Sequence, residues 1–341
     1  SERTATARRP AEDFCGPAGC TACVARCPHG ALSVHAGRVE VDARRCTGCG
    51  ACVSACPAAA MSLGGVSVRA VEEELRALLA RARGADPATG IVITCADAPE
   101  VPLGAGWLPL EVPSMAAVTL GWAAQVAAAG IAVRLAGCDD PRCADRAGEI
   151  TRLWAAVASH GSAPRRPGPV PGVARYRPAL TLREPAATVA ALAALRVGAG
   201  PGAPWRVESP LAPVGDIRVD AAACSACGRC AAACSGGALA AGGTDGAVLT
   251  FDGSLCSACG ACVAICPEAA LSLRRVIDPA VPAQGRRVAA LTPSGRNCSS
   301  CGEPIGAGLA TGVVAARLAA SHPLVAARLV EGDRCAQCRL R

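Results

Sequence analysis

The chain has 341 residues, a formal net charge of +7 and 23 cysteines. That length exceeds one ordinary core, so more than one compact unit is expected. Four Trp, two Phe and one Tyr are its whole aromatic content, which leaves little ring material for packing. Cysteine at this density has two ordinary uses, a disulfide framework in a small secreted domain or thiolate metal ligation, and the spacing decides between them.

In chain order, residues 1–14 contain Arg8 and Arg9 with no apolar segment after them, so an export signal is not expected and the protein reads as cytoplasmic. Two cysteine runs follow. Cys15, Cys20, Cys23 and Cys27 precede Pro28, and Cys46, Cys49, Cys52 and Cys56 precede Pro57, with a hairpin expected in the "ALSVHAGRVEVD" between them. Intervals of the C-x2-C-x2-C-x3-C type converge on a compact inorganic core. Structural zinc is the rival reading, but a third cysteine at x2 and a fourth at x3 before proline have no part in a tetrahedral zinc site. Gly50 and Gly260, after Cys49 and Cys259, suit a backbone wrapped closely around a cluster.

Residues 68–83 carry apolar positions at helical spacing and should form an amphipathic connector helix. "TGIVITCAD", "WLPLEVPS", a helix over 114–129, "IAVRLAGC" and a helix over 143–159 then alternate strand and helix, the order of a parallel α/β sheet. The uncharged run Met115 to Val133 is long enough for a membrane span but contains Thr119, Gln125, Gly121 and Gly130, so it is read as helix, stop and strand, with no span. Residues 161–215 are rich in Pro, Gly, Ala and Arg and read as linker with one helix at 184–196.

Residues 256–273, "CSACGACVAICPEAALSL", match residues 46–63 at 12 of 18 positions, so the structure built by 15–63 should be built again by 224–273. The second copy holds Cys224, Cys227, Cys230 and Cys234, a hairpin, then Cys256, Cys259, Cys262 and Cys266. Near the C-terminus, Cys298 with Cys301 and Cys335 with Cys338 are two isolated knuckles at zinc-ribbon spacing; a further iron-sulfur cluster, a rubredoxin-like iron and free thiols are the alternatives.

These two double runs resemble bacterial two-cluster ferredoxins. In that family three cysteines of one run and the fourth of the other hold each cluster. The resemblance implies four 4Fe-4S clusters: Cys15, Cys20, Cys23 and Cys56; Cys46, Cys49, Cys52 and Cys27; Cys224, Cys227, Cys230 and Cys266; Cys256, Cys259, Cys262 and Cys234. The x4 gap after Cys15 and Ser235 in place of the family's proline are departures. Four oxidised clusters would bring about −8 of charge and take the basic excess close to zero, so no nucleic-acid partner is expected.

The central strands place Cys95, Ser114, Cys138 and Cys143 at their carboxyl ends, a pattern that resembles the delta subunit of methyl-viologen-reducing hydrogenases. Ala98 and Ser114 stand where that family has further cysteines. The segment is read as a docking domain; a 2Fe-2S cluster on Cys95, Cys138 and Cys143 completed by Ser114 or a partner, and a redox-active pair of Cys138 and Cys143, are alternatives. No phosphate loop, nucleophile elbow or acid-base pair is present, and His29 beside Pro28 is read as a loop residue.

The expectation is an α+β multidomain chain: ferredoxin-like unit at 10–66, connector helix at 67–87, α/β domain at 88–160, linker at 161–215, second ferredoxin-like unit at 216–280, and zinc-binding tail at 290–341. It would carry four 4Fe-4S clusters and one Zn, and work as a non-catalytic subunit passing single electrons between flavoprotein, hydrogenase or formate dehydrogenase partners. An iron-sulfur sensor is the alternative from another class, and an autonomous enzyme using Cys95, Cys138 and Cys143 is a third.

Overall fold

A computed structural model describes residues 4–7, 20–84, 89–98, 106–142, 144–160, 185–198, 206–221, 223–241, 249–278, 288–291, 296–302, 304–305, 315, 317–330 and 338. Cys15, Cys143 and Cys335 lie outside them, as do residues 161–184 of the expected linker and the tip of the second hairpin. The fold mixes helix and sheet, and the chain divides into two compact units. The first comprises residues 1–216, 254–259 and 274–285, and the second comprises 217–253, 260–273 and 286–341.

In the first unit the hairpin pairs Leu32–His35 with Arg38–Val41. A second antiparallel sheet orders Ala5–Ala7, Met61–Leu63 and Val66–Ser67, so the ferredoxin-like fold recruits a strand upstream of residue 10. The connector is the helix Val68–Gly84, one residue longer than its apolar periodicity.

The α/β segment has three parallel strands, Gly90–Thr94 at the centre, Trp107–Glu111 on one side and Ala132–Leu135 on the other. The apolar run between them breaks at Thr119, whose hydroxyl accepts from the Trp122 amide and caps the helix Leu120–Ala128. All nine residues of that helix are buried, as expected of a helix apolar on every side. Among the described residues no helix is long and apolar enough to cross a membrane.

The connector helix and the α/β segment are not separate bodies. One buried core joins Leu63 of the ferredoxin-like sheet, Leu75 of the connector, Ile91 and Leu110 of the parallel sheet, and Trp122. The buried Glu72 accepts from Trp122 Nε1 at 3.3 Å, so the polar atoms that this packing buries satisfy each other. The helix Pro185–Gly198 buries Val189, Ala191, Leu192 and Leu195 in the first unit, and Val207–Glu208 pairs with Val276 and Ile277. The helix expected at 184–196 is thus present, and it and Val207–Glu208 are packed structure within the segment read as linker.

The second unit holds the strands Leu239–Ala241, Leu249–Phe251 and Val288–Leu291 in one antiparallel sheet. Its short helices Arg229–Ala232 and Ala261–Ile265 carry cysteines. The tail contributes the small pair Arg296–Asn297 with Pro304–Ile305 and the helix Pro323–Val330.

Candidate metal centres

Each cysteine run closes with the same local device. The third residue after the fourth cysteine is left-handed in all four runs: Gly30 (φ 55°), Ala59 (φ 52°), Gly237 (φ 65°) and Ala269 (φ 49°). For alanine that conformation costs roughly 1–2 kcal/mol, so something local must offset it. The turn aims a backbone N–H at the cysteine sulfur: Ala31 to Cys27 at 3.3 Å, Ala60 to Cys56 at 3.3 Å, Leu239 to Cys234 at 3.4 Å and Ala270 to Cys266 at 3.3 Å. Hydrogen bonds to the sulfurs are one of the means by which a protein sets the potential of a bound cluster. Left-handed Gly50, Gly228 and Gly260 likewise turn the chain between second and third cysteines into a short helix.

Two cavities gather thiols from separate runs. One, in the first unit, is lined by Cys46, Cys49 and Cys52 together with Cys27 of the preceding run. The other, in the second unit, is lined by Cys224, Cys227 and Cys230 together with Cys266 of the following run. Burial, then the neighbouring Cys49, Cys23, Cys46 and Cys27, pushes the Cys52 thiol up to about 12. Burial also raises Cys224 and Cys230. These three raised thiols must release their protons to take up metal. Cys227 is the exposed member of its set, and His29 is exposed at the edge of the first cavity.

Cys20, Cys23 and Cys56 are all buried. A hydrogen bond to Cys259, then burial, raises the Cys20 thiol strongly, with Cys56 adding to it. Thus Cys20 and Cys259, assigned to different clusters by the ferredoxin pattern, are neighbours inside the first unit. Arg275 stands with them. Its Nη2 donates to the Ala258 carbonyl at 2.6 Å and its Nη1 to the Ala212 carbonyl at 3.0 Å, and Cys20, Cys256 and Cys259 act on its charge. No sequence signal marked this arginine. Of the remaining set, Cys256 and Cys259 belong to the first unit and Cys234 and Cys262 to the second.

Ser114 lies against the second cysteine loop. Its buried Oγ donates to the Cys49 carbonyl at 2.7 Å and accepts from the Ala116 amide. Through these bonds the residue fastens the second cysteine loop to the α/β segment. Cys95 and Cys138 do meet, with their sulfurs 3.7 Å apart and buried.

In the tail, Cys298, Cys301 and Cys338 place their sulfurs within 4.8 Å of one another, close enough to share one metal ion. The first knuckle turns through left-handed Gly302 (φ 73°), whose amide donates to the Cys298 carbonyl at 2.8 Å.

Residues 15–60 match one family model for a 4Fe-4S dicluster domain, and residues 216–267 match a second model with the same description. No curated protein matches the chain in sequence. The chain therefore contains two ferredoxin-type 4Fe-4S dicluster domains and is metal-binding, and these domains point to an iron-sulfur electron-transfer protein. The convergent thiols and the amide-to-sulfur bonds fit such clusters.

Proposed function

We propose that the chain is a non-catalytic wiring subunit that relays single electrons between redox partners of a larger oxidoreductase, through four 4Fe-4S clusters held in the interleaved sets set out above. The carrying observation is the pair of cavities in which Cys27 joins Cys46, Cys49 and Cys52, and Cys266 joins Cys224, Cys227 and Cys230. A tight loop can grip one face of a cluster, and the far vertex needs a ligand from elsewhere in the chain.

A bound 4Fe-4S cluster supplies one-electron chemistry at a potential set by its surroundings. The residues of the chain do the rest. Thiolates anchor the cluster, amide donors from Ala31, Ala60, Leu239 and Ala270 delocalise charge from the fourth sulfur of each run, and buried Leu32, Leu63 and Leu249 keep water away. Exposed Cys227 marks a place where an electron could enter or leave, and the contact of Cys20 with Cys259 supports a short step between the first and fourth sets. Partners of flavoprotein, hydrogenase or formate dehydrogenase type fit this role. The tail would hold structural zinc with Cys335 as the fourth ligand, and the α/β segment would serve as a docking body.

Metal and sulfide analysis with EPR on anaerobically purified protein tests the reading. About sixteen iron and sixteen labile sulfide per chain are expected for four clusters. Iron near four, or zinc filling the sixteen thiols, would sink it.

A further inference from the structure

Next to Cys56 the first unit contains a cavity that the electron-transfer reading does not use. The residues of its wall include Arg26, Arg146 and Arg275, the hydroxyl-bearing Ser54 and Thr188, and Cys56 itself. Three cations around one half-enclosed space are unusual unless something negative joins them, because like charges at short range in a partly desolvated site repel strongly.

The three are not equivalent. Arg275 is engaged by two carbonyls and lies near Cys20, Cys256 and Cys259, so cluster thiolates can balance it. Arg146 donates to Glu149 at 2.8 Å, and Glu149 is the acid that acts on Arg26. Among the described residues Arg26 has no hydrogen bond or ion pair, and no cysteine is among the charges that act on it. One carboxylate thus serves two guanidinium groups, which leaves a net positive wall.

A second observation is independent of charge. Thr188 is completely buried, lines the same cavity, and its Oγ1 has no hydrogen-bond partner. A buried hydroxyl left unpaired costs on the order of 1–3 kcal/mol, and such a group commonly marks a missing acceptor or donor. The free space is about 50 Å³. A single water needs roughly 10–15 Å³ by this measure, so the cavity has room for a few heavy atoms, the scale of a four-oxygen anion.

We infer that this cavity binds a small tetrahedral oxyanion of the phosphate or sulfate class, held by Arg26 and Arg146 with a hydrogen bond from Thr188. Arginine forks match oxyanion geometry, and a hydroxyl can donate to the remaining oxygen. Because Cys56 forms part of the wall, the bound anion adds negative charge beside a proposed cluster ligand. It lowers that cluster's potential, and by reciprocity reduction of the cluster weakens the anion. The binding stands without the electron-transfer reading, whereas its coupling to a cluster rests on it.

The test is calorimetric titration of inorganic phosphate into the iron-loaded full-length protein at low ionic strength, with sulfate as competitor and chloride as control. Saturable one-site binding is expected, displaced by sulfate and not by chloride. Arg26→Gln and Arg146→Gln should each weaken it at least about tenfold, and the near-isosteric Thr188→Val severalfold, with iron content unchanged. Phosphate should also shift the midpoint of the EPR signal that Cys56→Ala abolishes to a more negative value. No saturable heat, or affinity indifferent to all three substitutions, overturns the site. A midpoint indifferent to phosphate overturns the coupling. Iron per chain is measured on the same sample, so loss of phosphate binding at full iron refutes the site alone, and low iron with phosphate binding intact refutes the four-cluster reading alone. Thr188→Val keeps the test decisive if either arginine variant fails to fold.

Discussion

Residues 46–63 and 256–273 are nearly the same sequence, yet they sit in different surroundings. Both loops turn through a left-handed glycine, Gly50 at φ 86° and Gly260 at φ 81°. A Cβ added to Gly50 would lie 3.1 Å from the Ser114 Cβ and 3.2 Å from Leu63, whereas one added to Gly260 would meet Leu273 at 4.0 Å. The first loop is clamped by the α/β segment, through contact at Gly50 and the hydrogen bond from Ser114 to the Cys49 carbonyl. The second has only an ordinary van der Waals contact at the same point. A cluster-binding loop is thus a local motif, but its rigidity is borrowed from whatever packs on it, and rigidity is one means by which surroundings tune a cluster.

The largest expected effect tests what the two domains share. Cys27→Ala should remove the cluster of Cys46, Cys49 and Cys52, and Cys266→Ala that of Cys224, Cys227 and Cys230, each lowering iron by about a quarter of the total. If Cys27→Ala instead abolishes the EPR signal that Cys20→Ala abolishes, the interleaving is wrong.

Next is the tail, which occurs in the second unit alone. Cys301→Ala should strip one zinc per chain and lower the melting temperature while leaving cluster reduction intact. Disappearance of an iron signal would move the tail into the electron path.

The glycine pair sharpens the comparison directly. Gly50→Ala should destabilise by roughly 2–4 kcal/mol, since left-handed strain and overpacking add. Gly260→Ala should cost about 1–2 kcal/mol, from the backbone alone. Equal shifts in denaturant midpoint for the two variants would show that the clamp is unimportant.

Comparable to Gly260→Ala in stability, and without effect on iron, is Ser114→Ala, which removes the hydrogen bond to the Cys49 carbonyl and should cost about 1 kcal/mol. Iron content should not change. A fall of two irons per chain would make Ser114 a cluster ligand and undo its assignment as a clamp.

The cysteine runs were legible because a cluster ligand loop is a local object: its spacing is short, and its turn residues lie within a few positions of the thiols. The connector helix and the parallel order of the central strands were legible for the same reason, since apolar periodicity records which side of an element is buried. The hydrogen bond from Ser114 was not legible, because its partner lies 65 positions earlier in the chain.

By itself the sequence determined the chemistry, namely thiolates in repeated runs, the hairpins between them and a terminal pair of knuckles. Tertiary structure alone decided that Ser114 bonds to the Cys49 carbonyl, that Cys20 meets Cys259 beside Arg275, that Ala5–Ala7 completes a sheet, and that Arg26, Arg146 and Thr188 share one cavity. The physical reason is range. Ligand spacing and helical period are constraints between near neighbours, written in the order of residues, whereas buried hydroxyls, clustered charges and edge strands acquire partners when distant segments pack, and no periodicity in the chain announces which segments those are.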